Sequence, residues 1–141
     1  MGASQSTIGA GQSTIGRVRR IRLMVVSEPW YRHILEGRKD VEGRKNSETW
    51  RDIEPGDILC LTASKFSMSC FYVKVTGITL YAPPGALRKY LEGETLARAL
   101  PGVSSIEEGM KVYLAWSTME EIEAVGMMGI QLEVIRGETT F

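Results

Sequence analysis

The sequence has few of the residues on which metal and thiol chemistry depend. Its 141 residues include one histidine, His33, and two cysteines, Cys60 and Cys70. Neither cysteine belongs to a C-x-x-C pair, which excludes a disulfide scaffold and a cysteine-rich zinc site. A single histidine argues against a histidine metal centre and a Ser-His-Asp triad. We therefore expect no metal and no cofactor, and any catalysis would depend on Lys, Glu, Tyr, Ser or Thr.

Long hydrophobic runs are also missing. No stretch approaches the ~20 apolar residues that a membrane span requires, and glycines interrupt the longest apolar stretch, near residues 125–130. Hydrophobic residues make up 43% of the chain and charged residues 24%, which is enough for one packed domain. The first residues contain no hydrophobic stretch typical of a secretory signal, so we expect none. We expect an intracellular protein, cytoplasmic or nuclear, that is not secreted.

The first sixteen residues contain no charged side chain. The sequence Gln-Ser-Thr-Ile-Gly occurs at residues 5–9 and again at residues 12–16. This composition predicts a flexible Gly/Ser/Thr-rich tail over residues 1–16, followed by one domain over residues 17–141. The opening M-G-x-x-x-S matches the N-myristoylation pattern, with Gly2 as the acceptor. Membrane contact is expected only if Gly2 is acylated, and one acyl chain would bind reversibly.

Charge is unevenly distributed, although the net charge is zero. Residues 1–51 contain ten Lys or Arg and five Asp or Glu, a balance of +5, whereas residues 52–141 contain seven and twelve, a balance of −5. A basic sector attracts phosphate groups even on a neutral protein. The alternative is that the two halves neutralise each other across the fold.

The body of the chain alternates between strand patterns and helix patterns. Apolar alternation predicts strands at residues 17–26, 58–62, 70–80 and 129–135, with an extended segment at residues 39–44. Helices are predicted between Ser27 and Gly37 and at residues 86–91, 95–100, 106–116 and 119–124, the last capped by Ser117. We expect the second half of the first strand to be buried on both faces. This order indicates an α+β fold, a small barrel closed by its terminal strands.

Charged residues are densest between residues 36 and 45, where four bases and three acids follow the end of the first predicted helix. An arginine here can hold a phosphate with two parallel hydrogen bonds. A buried lysine beside a carboxylate can act as an acid or a base. The same charges also suit a solvated hairpin with surface ion pairs, so charge alone does not define a site.

This segment and the turn after it resemble the ASCH (activating signal cointegrator homology) domain of the PUA-like superfamily. The matching residues are Pro29, Trp30, Ile34, Gly37, Lys39, Glu42, Gly43, Arg44, Gly56, Asp57 and Ile58. The resemblance extends over roughly residues 18–136 and leaves out the N-terminal repeat. It implies a small β-barrel with flanking helices and a cleft lined by the segment after the first helix.

The resemblance also implies that the cleft binds RNA, a nucleotide or a modified nucleoside. The residues expected to contact this ligand are Arg38, Lys39, Arg44 and Lys45, with Tyr31 and Trp50 as surfaces on which a base could stack. Arg44 would hold phosphate or buttress the segment through Glu42. Trp30 is a further candidate stacking surface, with a core position on the buried face of the helix as the favoured alternative.

A cofactor-free hydrolase is the alternative function. Some ASCH-like proteins resemble amidohydrolases acting on N(4)-acetylcytidine, in which a Lys activates a Thr three residues later and a distant Glu assists. Here Lys39 is present but Glu42 replaces the Thr, so Lys39 and Glu42 would have to activate water. Glu92 or Glu94 is the candidate for the distant acid. Two further alternatives are a ribonuclease and a protein-interaction adaptor.

Overall fold

The structure is a computed structural model that describes residues 20–137. The predicted tail, including Gly2, lies outside the described residues, as do the first residues of the predicted opening strand. Within the described range no helix has the length and apolar character to cross a membrane.

Five strands and five helices make up the described chain, which confirms the α+β class. The strands are β1 (Ile21–Val25), β2 (Val41–Lys45), β3 (Ile58–Thr62), β4 (Phe71–Tyr81) and β5 (Met127–Val134). The helices are α1 (Trp30–Leu35), α2 (Ala86–Glu94), α3 (Leu96–Ala99), α4 (Ile106–Leu114) and α5 (Met119–Val125).

The strands form one sheet in the order β1-β3-β4-β5-β2, so that β1 and β2 are its edges. The pair β1–β3 is parallel and the other pairs are antiparallel. The sheet curves into an open barrel with helices packed around it. The prediction that the terminal strands close the barrel is wrong, because β5 pairs with β4 and β2, and β1 pairs with β3.

The first strand is half exposed, and the prediction that it is buried on both faces is also wrong. Leu23 is 60% exposed, whereas the next residue, Met24, is 1% exposed. An edge strand pairs on one side only, and here its outward-facing side chains are left in solvent. The apolar run at its end therefore marks an edge strand rather than a central strand.

The core consists of two hydrophobic clusters on opposite faces of the sheet. The first is formed with α1 and includes Met128, and the second is formed with α2, α3 and α5 and includes Met127. Adjacent residues of a strand point to opposite faces, so these two methionines enter different clusters. Both are 1% exposed, as expected for core residues. Trp30 is partly buried and packs against both clusters.

Turn and cap residues mark the end of α1 and the start of α5 next to the cleft. The first helix ends before Gly37, whose φ of +85° favours glycine. Thr118, rather than the predicted Ser117, caps α5: its side chain accepts from Glu121 N–H, and Glu121 bonds back to Thr118 N–H. Ser117 is therefore left in the connection between α4 and α5.

Candidate functional site

A cavity of about 520 Å³ opens where the barrel is incomplete, beside the edge strands β1 and β2. Its walls come from the end of β1, from β2, from α1 and α4, and from the connection after β2. Its lining includes Val25, Trp30, Lys39, Glu42, Gly43, Arg44, Lys45, Trp50, Tyr113 and Trp116. Its volume lies in the range of small-molecule sites and is too small to admit a duplex.

Lys39 is a buried ammonium at the base of this cavity, with 1% of its surface exposed. Its Nζ donates to the carbonyl oxygen of Val41 at 2.7 Å and to that of Ala99, and lies 3.2 Å from Glu42 Oε1. Burial lowers the pKa of Lys39, and the charge of Glu42 opposes this. Two backbone carbonyl oxygens and one carboxylate surround the ammonium. Lys39 thus joins β2 to the end of α3.

Glu42 and Arg44 form the second ion pair of the cavity. Glu42 Oε2 accepts from Arg44 Nε at 3.1 Å and from Nη2 at 2.8 Å. The same Nη2 donates to the carbonyl oxygen of Val25 at 2.7 Å, so Arg44 connects the two edges of the sheet. Burial alone would raise the pKa of Glu42, but Lys39 and Arg44 outweigh it and hold that pKa below its ordinary value. Glu42 is therefore a charged carboxylate between two cations.

Gly43 lies between these charged residues and leaves space for a buried aromatic ring. A Cβ at this position would overlap the Tyr90 ring. The Tyr90 hydroxyl is 2.7 Å from that of Tyr113. Burial raises the pKa of both phenols, which are therefore neutral near pH 7. The close approach of strand and helix at this wall requires a glycine.

All three tryptophans of the sequence, Trp30, Trp50 and Trp116, line the cavity, but their rings have different contacts. The Trp50 ring is half-buried, with the guanidinium carbons of Arg22 and Arg44 at 4.6 and 5.6 Å from its centroid. Two cations therefore already lie against the surface that was predicted to stack on a base. Trp116 is 73% exposed, which leaves its ring accessible from solvent.

Trp116 was missed by sequence reasoning because the predicted helix at residues 106–116 included it. In the structure α4 ends at Leu114, and Trp116 belongs to the short connection before α5. The available signal was a large aromatic residue two residues before Thr118, the cap of the next helix. A connection exposes its side chains more often than a packed helix does.

Two predicted contact residues lie elsewhere, and their assignment to the cleft is corrected. Tyr31 is 8% exposed and belongs to the first hydrophobic cluster, with its ring centroid 5.0 Å from that of Phe71. Arg38 is exposed, donates to His33 Nδ1 at 2.9 Å and pairs with Glu36. Adjacent helical positions point about 100° apart, so Trp30 enters the cavity wall while Tyr31 enters the core.

The candidate distant acids also lie outside the residues that line the cavity. Glu94 is 3% exposed and accepts from Tyr81 Oη at 2.6 Å and from Gln131 Nε2. Glu92 is exposed, with Arg88 at 3.8 Å. Over residues 20–137, no cluster of three or more His, Cys, Asp or Glu is arranged to hold a metal ion.

Comparison with known proteins identifies the family. A family model described as the ASCH domain matches residues 24–135. The chain is 36% identical to the crystal structure of hypothetical protein PH0355, covering 82% of this chain and 99% of that one, with a TM-score of 0.72. It is 31% identical to the solution NMR structure of protein PF0455 from Pyrococcus furiosus, covering 85% and 100%, with a TM-score of 0.65. A search of curated proteins found no match. The chain therefore belongs to the ASCH domain family.

Proposed function

We propose that this protein binds a single-stranded segment of RNA, or a nucleotide, in the cavity beside β1 and β2. The observation that carries the proposal is Trp116, a largely exposed ring on the wall of a concave site whose other wall bears Arg44 and Lys45. Sequence-specific RNA recognition mostly uses unpaired bases that stack on aromatic rings. Stacking on Trp116 would place the adjoining phosphate near the cations of β2.

The charge of the cavity supports an anionic ligand. Arg44 uses Nε and Nη2 in its bonds to Glu42 and Val25. Among the described residues no partner is found for its Nη1, which leaves one fork of the guanidinium for a phosphate. Lys45 is 34% exposed and has Glu121 at 3.8 Å. A pair at that distance between exposed groups is weak, and a phosphate would compete for the ammonium.

The size of the cavity supports one base rather than a duplex. A volume of about 520 Å³ accommodates a nucleoside, whereas double-stranded RNA presents a wide shallow groove that is read across many base pairs. We therefore expect single-stranded RNA to bind more tightly than duplex RNA. RNA binding has been suggested for ASCH domains, and the proposal assigns it to the part of β2 from Glu42 to Lys45.

The test is a titration of labelled single-stranded RNA, followed by anisotropy at low and moderate salt, with duplex RNA and single-stranded DNA in parallel. Trp116→Ala should weaken binding about tenfold or more, because one stacked base contributes roughly 1–3 kcal/mol. Lys45→Gln should weaken binding severalfold at low salt and reduce the salt slope by about one. Arg44→Gln should also weaken it.

The matched control is Arg32→Gln. Arg32 is an exposed base on α1 that does not line the cavity, with its acidic neighbours at 3.9 Å. It should leave affinity within twofold of the unchanged protein, since nonspecific attraction from one distant charge is screened. Binding that is equal in Trp116→Ala, Lys45→Gln and Arg32→Gln would place RNA outside the cavity. Absence of binding to every nucleic acid would refute the proposal.

The hydrolase alternative is tested in the same samples. A base must have a free lone pair, but the Lys39 ammonium donates to two carbonyl oxygens and is paired with Glu42, which is charged between two cations. This arrangement favours a structural ion pair over an acid–base pair. Acetate released from N(4)-acetylcytidine, or RNA fragments, with the activity lost in Lys39→Met, would instead assign the protein to the enzymes.

A further inference from the structure

Two cysteines are too few for a disulfide scaffold. In the fold, however, Cys60 and Cys70 lie near each other. Cys60 belongs to β3, where its Cα pairs with that of Tyr72 on β4. Cys70 precedes Tyr72 by two residues, so extended backbone directs both side chains to the same face of the sheet. Cys70 lies close enough to Cys60 to raise the pKa of the Cys60 thiol. The two thiols therefore lie near each other at the end of the β3–β4 ladder, and both cysteines are free.

The backbone at Cys70 has the freedom to complete a bond. In a regular antiparallel ladder, diagonal residues are roughly 7–8 Å apart at Cα, slightly beyond the roughly 4.4–6.8 Å of a disulfide. Here the ladder ends at the pair Leu61–Phe71, and Cys70 lies outside β4 in the connection from β3. The Cα of Cys70 is thus not held at the ladder spacing. A small movement of the connection would bring it within the Cα–Cα range of a disulfide.

The two thiols differ in access. Cys70 is exposed and Cys60 is partly buried. Burial raises the pKa of the Cys60 thiol, and the neighbouring Cys70 raises it further. Attack on an external disulfide requires a thiolate and an open approach. Cys70 is therefore the first of the pair to react, and Cys60 is placed to resolve the product.

We propose that Cys60 and Cys70 are a redox-active pair that forms an intramolecular disulfide with a small disulfide oxidant such as glutathione disulfide. The Cys70 thiolate attacks one sulfur of the oxidant, forming a mixed disulfide and releasing a glutathione thiolate. The Cys60 thiolate then attacks the Cys70 sulfur, forms the protein disulfide and releases the second glutathione thiolate. Two cysteine protons are lost and two glutathione thiols are produced, so one disulfide is consumed for each one made.

The bond would close the connection between β3 and β4 at its base. This connection presents Phe66 and Met68, which are 84% and 100% exposed. Neither cysteine lines the cavity, so this pair is separate from the proposed RNA site and does not depend on it. Oxidation would fix the connection to β3 while leaving the cavity residues in place.

The test compares folded protein with the same chain unfolded in guanidinium chloride, each equilibrated in a series of glutathione redox buffers without oxygen. Samples are quenched with acid, alkylated and weighed by mass spectrometry. The unfolded chain is the matched control because it has the same two thiols without the fold that brings them together. We expect the disulfide to form in the folded protein at a ratio of reduced to oxidised glutathione at least about tenfold higher than in the unfolded chain.

Single variants test the order of the two steps. Cys60→Ser should stop at one glutathione adduct on Cys70, and Cys70→Ser should react more slowly because Cys60 is partly buried. Folded protein that forms the disulfide no more readily than the unfolded chain, or that collects only mixed adducts, would overturn the proposal. Faster reaction of Cys70→Ser than of Cys60→Ser would overturn the assigned order.

Discussion

Lys39 shows how a buried charge can be structural. Lys39→Met keeps the length of the side chain but leaves Glu42 with one cation and removes the donor to Val41 and Ala99. We expect the free energy of unfolding to fall by about 3–5 kcal/mol, since removing one partner of a buried ion pair is costly. Urea denaturation measures this. Lys45→Met, with its partner at 3.8 Å near solvent, should cost less than about 1 kcal/mol.

A double variant separates charge compensation from packing. Lys39→Met combined with Glu42→Gln removes both charges, so it should be more stable than Lys39→Met alone. If Lys39→Met is as stable as Lys45→Met, the Lys39 ammonium does not compensate Glu42, and the Lys39–Glu42 ion pair has no structural role.

Gly43 is predicted to be irreplaceable because of the ring beside it. In Gly43→Ala the new Cβ would overlap Tyr90, which is fully buried, and we expect a loss of about 1–3 kcal/mol by overpacking. In a Tyr90→Leu background the ring is absent, so the same change should cost less. Thermal unfolding of the four proteins in this cycle measures the coupling. If the losses are additive, the contact with Tyr90 is not the reason that position 43 requires glycine.

The sequence located part of the candidate site at the level of single residues. The segment after α1 supplies Lys39, Glu42 and Arg44 to the cavity wall, and its charge density was visible in the sequence. Tyr31 could not be separated from Trp30, because the direction of a helical side chain depends on where the helix packs. Trp116 is 72 residues beyond Arg44 in the chain, and only tertiary packing brings the two together.

At the scale of elements, α4 depends on its cap and presents Tyr113 to the cavity. The side chain of Ser105 accepts from the backbone N–H of Glu108 at 3.1 Å. Ser105→Ala should therefore destabilise the protein by about 1 kcal/mol. The neighbouring Ser104 is exposed outside the helix, so Ser104→Ala should change stability by less than about 0.5 kcal/mol. Chemical denaturation compares the two, and equal losses would contradict the cap.

Element types were easier to predict than element partners. The strand over Ile58–Thr62 was predicted with the bounds that the structure has, because a short β-rich run follows a clear turn. The pairing of β5 with both β4 and β2 depends on residues distant in sequence. A local alternation shows that a strand exists, but it does not show whether that strand is an edge.

For the whole molecule, acid should weaken the fold partly through Glu42. Its pKa is held below the ordinary value of 4.5, since Lys39 and Arg44 outweigh the opposite effect of burial. The unfolded chain therefore binds more protons than the folded chain below about pH 4.5. Stability from this group is complete above that pH and is lost as the pH falls through the folded-state pKa.

Denaturation midpoints measured from pH 7 to pH 3 check this dependence. Glu42→Gln should show a shallower fall in unfolding free energy below about pH 4.5 than the unchanged protein. Glu133→Gln, at an exposed position of β5, is the control and should keep the original slope. Equal slopes in all three proteins would mean that Glu42 does not contribute to acid sensitivity.

The open edge of the barrel has a spectroscopic consequence. The sequence contains three tryptophans, and Trp30, Trp50 and Trp116 all line the cavity beside β1 and β2. Emission excited selectively at indole therefore originates entirely from chromophores around that opening, without any attached dye. A ligand that enters the cavity would quench or shift the whole signal, whereas one that binds elsewhere on the surface would leave it nearly constant.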